Sequence, residues 1–522
     1  MLVLILVGVV SVLATALYLF LDRRYSVWKR RGVPGPPASV SLSVPKLLLG
    51  QESMGDIAER IYSEFRDSPI AGSYVFGSPV LHLHDPEVIK HVLIKDFQDF
   101  NGRGGDSDNP DPLASNLFLL HGARWRNLRV KLAPTFTSGK IKYMFDTFNK
   151  CSENMADYLS EKIAANGGKH TEDARPLMIR LFVDTICSVV FGIESNVIKN
   201  PDSEFFHAAL EAVKPSYPNF FRALVALFGH DWRKVVRTGF SSADSQAFFT
   251  KIVEETVEYR EKNNVERPDM MNLLIQLKNK GFVAPDKEVD SQDEKYEAVS
   301  GDLQKLDIKD VTAQVFVFFL AGFESSSGTT SFTLYEMAKQ PAVLAKALEE
   351  VDRTLKEHNG KISYESVMSM TYLDKCVSET LRMYPPLGFV SREAMVTRKV
   401  PLTDVTVDKG TRVVIPIHAL HYDPKYWPNP NLYDPERFSE EQKKTRPSQV
   451  YLPFGDGPRI CIAARLGVAQ IKTALVTLLA KFTVVPNAQC VDKVKLHPRS
   501  FATAPQYPLN LTFVARSKRA TV

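Results

Sequence analysis

The longest unbroken apolar stretch of the chain is its beginning: Met1 to Leu21 contains no charged side chain. As a helix it would span about 31 Å at ~1.5 Å per residue, enough to cross a hydrocarbon core of ~30 Å. Arg23, Arg24, Lys29, Arg30 and Arg31 follow, against a single Asp22. Positive charge on that flank predicts a body on the cytoplasmic side of the membrane. A cleaved signal peptide is the other reading, because Ala14-Thr15-Ala16 resembles a cleavage site. No basic segment precedes the apolar run, however, and the run continues past that site. Residues 1–21 are therefore read as a transmembrane signal anchor and 22–37 as a basic, proline-rich hinge. Its last residues, Val33-Pro34-Gly35-Pro36-Pro37, cannot continue a helix and predict a stiff, extended link.

From about Gly50 onward the apolar positions recur at helical spacing, and alternating runs are confined to Ala71–His84 and Lys399–Val414. The expected class is mainly α with small β-sheets. The polar, mostly acidic stretch Gly281–Asp307 reads as a surface connection. After it, Ile308–Lys339 predicts one long helix, with Asp307 as N-cap, Asp310 at its positive end and Pro341 as its stop. Its centre, Phe316 to Phe323, is apolar nearly all round and so predicted to be buried. Glu324 follows directly, and a carboxylate there is costly unless partnered or functional. Leu210–Phe228 is rich in aromatics, with Phe220, Phe221, Leu224 and Phe228 at helical spacing. Core packing and an apolar ligand channel or membrane contact explain it equally well.

Composition narrows the class. A 522-residue chain would ordinarily suggest about three domains. No internal repeat or linker divides it, so 38–522 is read as one large domain. The 65 basic and 60 acidic residues nearly balance and form no block of like charge, which leaves nucleic-acid binding without support. The five cysteines (Cys151, Cys187, Cys376, Cys461, Cys490) are scattered and never paired as C-x-x-C. That argues against a disulfide framework or a structural zinc site, and suits a reducing compartment.

The densest chemical signal is Pro453-Phe454-Gly455-Asp456-Gly457-Pro458-Arg459-Ile460-Cys461-Ile462-Ala463. Glycines and prolines predict a tight loop, and the pattern turns helical from Ile462. Cys461 would then sit where a loop enters a helix, a place that favours a thiolate. A thiolate is a soft ligand suited to iron, and Arg459 can pair with an anionic cofactor group.

At these residues the chain resembles the cytochrome P-450 family, whose signature is F-x-x-G-x-R-x-C-x-G/A. Phe454, Gly457, Arg459 and Cys461 match it, with Ala463 in place of the commoner Gly. Further family motifs follow in the expected order. Glu379-Thr380-Leu381-Arg382 resembles E-x-x-R, which the resemblance pairs with Arg437 of Pro435-Glu436-Arg437-Phe438 as a structural lock behind the haem. Trp125 and Arg129 resemble W-x-x-x-R, and the resemblance assigns them, with Arg392 and Arg103, to the haem propionates. Ala321-Gly322-Phe323-Glu324-Ser325 resembles the oxygen-activation motif A-G-x-E/D-T. There Ala321 and Gly322 imply a close approach of the helix to the iron, and Glu324 and Ser325 a proton relay. Ser325 replaces the usual Thr, keeping the hydroxyl and losing the methyl. The resemblance covers about Pro34 to Phe513 and is nearest to the microsomal group, with insect detoxifying enzymes closest.

The resemblance implies a single haem-binding domain, haem b on an axial thiolate, and a monooxygenase that inserts one oxygen atom from dioxygen into apolar molecules. Thiolate ligation favours O–O cleavage, as is general for this family. No glycine fingerprint for a nucleotide occurs between a strand and a helix, so electrons must come from outside. An NADPH-dependent reductase is the expected donor, with cytochrome b5 a further candidate partner. Arg126, Lys131, Lys443 and Lys444 are candidates to steer it. Phe118, Phe220, Phe318, Leu387, Phe389 and Phe501 are expected to line a lipophilic substrate pocket by family position. The expected location is the endoplasmic reticulum membrane, with the catalytic body facing the cytoplasm. Two rival readings are a haem–thiolate isomerase or peroxygenase, and a non-catalytic haem protein that binds lipophiles. The isomerase would have no use for the Glu324–Ser325 relay.

Overall fold

A computed structural model describes residues 2–37, 46–47, 49–75, 77–104, 111–228, 239, 241–283 and 305–516. The stretch expected to form an acidic surface connection lies, from 284 to 304, outside the described residues.

The helix Ile308–Lys339 is the axis of the body. Asp307 and Asp310 close a capping box at its start, each side chain bonding the other's backbone N–H. Most of its residues are buried. Ala174–Ile186, Ala464–Lys481, Thr371–Met383 and Ala243–Asn263 pack around it and share one hydrophobic core with Ser138–Ala165. Serines and threonines along this buried axis bond backward to carbonyls one turn earlier: Thr312 to Ile308, Ser325 to Ala321, Thr329 to Ser325 and Thr333 to Thr329, each at 2.7–2.8 Å. Their hydroxyls are thereby satisfied without water.

The sheets are small. Strands β1 (Ile70–Val75) and β2 (Ser78–Leu83) form a hairpin, β3 (Lys169–Asp173) stands apart, and β4 (Val390–Glu393) follows. The two-residue strands β5 (Arg398–Lys399) and β6 (Thr406–Val407) precede β7 (Arg412–Ile415), and β8 (Phe482–Pro486) and β9 (Asn510–Ala515) come last. One sheet has the order β1-β2-β7-β4, with β2 and β7 parallel (Val80 opposite Arg412) and the other pairs antiparallel. A second has the order β3-β9-β8, antiparallel throughout. The strands foreseen in 71–84 and 399–414 are these β1, β2, β5, β6 and β7.

The first helix runs Leu2–Tyr25, past the expected end at Leu21. Arg23 and Arg24 suit a helix C-terminus, which explains the extra turn. Ile5–Tyr25 is long and apolar enough to cross a membrane, with mean hydropathy 2.2, and it meets the body at its last turn, where Arg24 Nε donates to Gly77 O at 2.9 Å and Tyr25 packs on Tyr74. The hinge behind it is docked. Trp28 is buried with its indole N–H on Ser73 O at 2.8 Å, and Gly72 N–H reaches Pro34 O at 2.8 Å. A side chain at Gly72 would strike the Trp28 ring at 2.3 Å.

Candidate functional site

A cavity of about 380 Å³ lies between the middle of Ile308–Lys339 and the loop before Ala464–Lys481. Cys461 opens into it, and its exposed sulfur faces this interior space. The loop is built for the purpose. Gly455 and Gly457 take φ of 72° and 68°, a region side chains avoid. A Cβ at Gly457 would also lie 2.0 Å from Leu93 O, so only glycine lets the loop rest there. Cys461 N–H then donates to Phe454 O at 2.9 Å, closing the loop. Cys151, Cys187 and Cys376 are buried in the core, and neither they nor Cys490 line the cavity.

The protein groups around Cys461 act on its thiol in opposite directions. Burial pushes the Cys461 thiol up, outweighing the Ala463 N–H, Arg129 and Arg103, which pull it down. The Ala464–Lys481 helix starts without a side-chain cap. A metal bound at the sulfur favours the thiolate.

Beside Cys461 stands a cluster of guanidinium groups. Arg103, Arg129, Trp125 and Arg459 line the cavity, and Arg392 is fully buried behind its wall. Burial pushes Arg103 down to about 10, with Cys461 opposing and Arg129 adding to the shift. Burial lowers Arg392 and Arg459 well below the usual value, and neighbouring arginines lower both further. Arg459 lies over the Trp125 ring at 4.4 Å, and Arg103 over Phe118 at 4.6 Å. Arg392 Nε and Nη2 and Arg459 Nε are buried with no hydrogen-bond partner in the protein. Buried cations lacking partners are costly, so this cluster is complementary to an anion held beside a thiol. The donor set fits an iron-bearing cofactor with carboxylate arms.

Ala321, Gly322, Glu324 and Ser325 line the opposite wall. Gly322 borders the cavity, and a Cβ there would also meet Ile186 Cδ1 of the Ala174–Ile186 helix at 2.6 Å. Ser325 Oγ donates to Ala321 O, leaving its lone pairs toward other donors. Glu324 is buried and paired with Arg175 at 2.6 Å, a partner that sequence spacing could not indicate. Glu324 Oε2 and Arg175 Nη1 remain buried without partners.

Phe118, Phe318, Leu387 and Phe501 line this cavity. Phe220 and Phe389 do not. They line a second cavity of about 100 Å³, beside Glu59 and His418. Ala223, Ser500, Phe501 and Ala502 border both spaces, so the two adjoin there. The displacement of Phe220 and Phe389 follows from their packing with Met54, Ile57 and Leu224 against β1 and β2.

Glu379, Arg382 and Arg437 meet in the core away from the cavity. Arg382 Nε and Nη2 hold both Glu379 oxygens at 2.7 and 2.8 Å, and Arg437 Nε lies 3.3 Å from Glu379 Oε1.

Comparison with known proteins agrees with this geometry. The family model described as Cytochrome P450 matches residues 34–513. Cytochrome P450 6k1 of Blattella germanica is 39% identical over 510 residues, covering 97% of this chain and 96% of that protein. Cytochrome P450 6d3 of Musca domestica is 36% identical over 518 residues, covering 97% and 98%. A probable cytochrome P450 6d4 of Drosophila melanogaster is 37% identical over 483 residues, covering 90% and 91%.

Proposed function

Because the chain belongs to the cytochrome P450 family, we propose that it is a membrane-anchored monooxygenase that draws electrons from an NADPH-dependent reductase and oxidises apolar small molecules. The carrying observation is one cavity that joins the Cys461 thiol, Arg459 with its partnerless Nε, and the Glu324–Ser325 wall. Cys461 would hold haem, which would supply activation of dioxygen for insertion of one oxygen atom into the substrate, the other being reduced to water by the two electrons from the reductase.

The chain's own groups do the rest. Arg103, Arg129, Arg392, Arg459 and the Trp125 N–H hold the two carboxylates of the cofactor. Phe454 and Gly457 shape the loop that presents Cys461. Glu379, Arg382 and Arg437 fix the core behind it. Ser325 Oγ, on turning its hydroxyl away from Ala321 O, would pass a proton into the cavity and regain one by way of Glu324, which Arg175 holds in place. Phe118, Phe318, Leu387 and Phe501 exclude water and grip an apolar substrate, while Phe220 and Phe389 serve the adjoining space. The substrate class is lipophilic: xenobiotics such as plant toxins or insecticides, or endogenous hormones. Residues 1–21 anchor the protein in the endoplasmic reticulum membrane, 22–37 form the hinge, and the body 38–522 faces the cytoplasm. Arg126, Lys443 and Lys444, all exposed, and the half-buried Lys131 steer the electron donor, with cytochrome b5 as a second candidate.

The test is reconstitution with reductase and NADPH against a panel of apolar compounds. Substrate-dependent NADPH consumption with one oxygen atom per product molecule is expected. Ligand binding without such consumption identifies a binding protein instead.

A further inference from the structure

The loop presenting Cys461 must be fixed to something rigid, and several of its bonds are internal. Gly455 N–H donates to Leu452 O at 3.0 Å, and Gln449 Nε2 donates to Asp456 Oδ2 at 3.0 Å. Arg459 ties the loop's far end to Phe118 O and Leu120 O, and two side chains carry its near end across to its neighbours. Tyr451 donates its hydroxyl to Ser378 O at 3.0 Å. The other is His421, fully buried near the end of the Ile417–Tyr422 helix.

Both ring nitrogens of His421 are engaged. Leu452 N–H donates to Nε2 at 2.9 Å, so that nitrogen carries a lone pair. Nδ1 lies 3.0 Å from Arg382 O, so it carries the proton and donates. The surrounding network therefore selects one neutral tautomer. Arg382 returns a bond from Nη1 to His421 O at 2.9 Å. The ring also stacks on Tyr451, with centroids 5.3 Å apart and planes at 27°. Burial pushes its pKa down to about 3, which keeps the ring neutral.

A satisfied neutral core histidine needs only one acceptor and one donor, and both can come from a single segment. This one spans two separate segments, with its donor end on the helix of Glu379 and Arg382 and its acceptor end on the first residue of the thiol loop. No other side chain puts a donor and an acceptor on opposite edges of one rigid ring. Resting on the reading of Cys461 as the haem ligand, we propose that His421 is a positioning residue of that site: its imidazole transfers the fixed position of Arg382 to Leu452 and so sets where Cys461 is held.

The test uses the full-length haem-loaded protein and two variants. His421→Phe keeps ring volume and loses both bonds, and His421→Asn keeps a donor near Arg382 O while losing the acceptor for Leu452. Amide hydrogen exchange is read over residues 451–463 and, as reference, 371–383, with the reduced carbon monoxide spectrum taken in parallel. Loss of the bond should speed exchange at 451–463 by about tenfold in both variants, with 371–383 changed less than about twofold. The thiolate-type band should decay faster on standing than in the parent. Unchanged exchange, or an equal rise over both segments, would mean the ring merely fills space and would overturn the proposal. If His421→Phe does not accumulate, His421→Asn gives the same reading. Failure of the underlying assignment shows elsewhere, as a thiolate band that survives Cys461→Ser.

Discussion

Two buried arginines, Arg382 and Arg392, are both fully shielded from solvent and yet are treated in opposite ways. Arg382 has both Glu379 oxygens, His421 O and Pro430 O within 2.9 Å. Arg392 has only Ser391 O, at 3.0 Å, and two nitrogens with nothing to bond. Its charged neighbours include Arg103 and Asp456, and burial drives its pKa well below the usual value. A guanidinium supplied with every partner by its own chain is structural. One left wanting partners beside a cavity is waiting for a ligand, and the unmet bonds say that the ligand is anionic.

The harshest test of this contrast removes the group around which the unpaired cations gather. Cys461→Ser should abolish the thiolate-type band of the reduced carbon monoxide complex, while Ala at Cys151, Cys187, Cys376 or Cys490 should leave its position unchanged. Next come the two arginines themselves. Arg382→Met strands Glu379 in the core and should cost about 3–5 kcal/mol in denaturant unfolding. Arg392→Met should leave the haem-free protein as stable or slightly more so, yet raise the rate of haem loss about tenfold. Equal destabilisation of the haem-free protein by both would erase the distinction.

Glu324 and Arg175 sit between the extremes, paired once and each with one free atom. Ser325→Ala and Arg175→Met should both keep the haem spectrum and divert NADPH from product to hydrogen peroxide, on the order of tenfold for Ser325→Ala. Unchanged product per NADPH in Ser325→Ala would remove that hydroxyl from proton delivery.

A milder effect concerns acid. His82 and His421 are buried, and burial pushes each from the ordinary 6.5 to about 3. His84 lowers His82 further, and Arg382 and His418 do the same for His421, against the Arg382 carbonyl. Both stay neutral when folded but gain a proton when unfolded below about pH 6.5. Their contribution is therefore present above that pH and is lost as pH falls toward 3, at up to about 1.4 kcal/mol per unit for each ring. Thermal midpoints measured across this range should fall, and less steeply in His421→Asn. The smallest effect on the site is expected from deleting residues 1–21. Much of the protein should leave the membrane fraction with its carbon monoxide band intact, and loss of haem would show the segment to be part of the fold.

What was legible in the sequence was local. Asp307, Asp310 and Pro341 mark the ends of the long helix because caps act within one turn. The spacing from Phe454 to Cys461 marks the loop because its glycines serve its own backbone. Arg175 was hidden because it lies 149 residues from Glu324, on a helix whose pattern says only that it is buried. His421 was hidden likewise, its two bonds reaching 39 and 31 residues away. The size of Gly322 was noticed, while its second neighbour, Ile186, is revealed only by the packed helices. Phe220 and Phe389 were assigned by family position to one pocket, whereas the packing divides that region into two adjoining spaces.

The docking of Trp28 on Gly72 and of Pro34 on β1 leaves little slack between the first helix and the body. A tether of free coil would let the body tumble above the lipid and present every face in turn. Here the leash is stitched down close to where it leaves the helix, so rocking of that helix is passed to the sheet as torque. Under the proposed anchoring, lateral diffusion would carry a molecule of nearly constant attitude, and the proposed electron donor would meet it with most of the angular search already done.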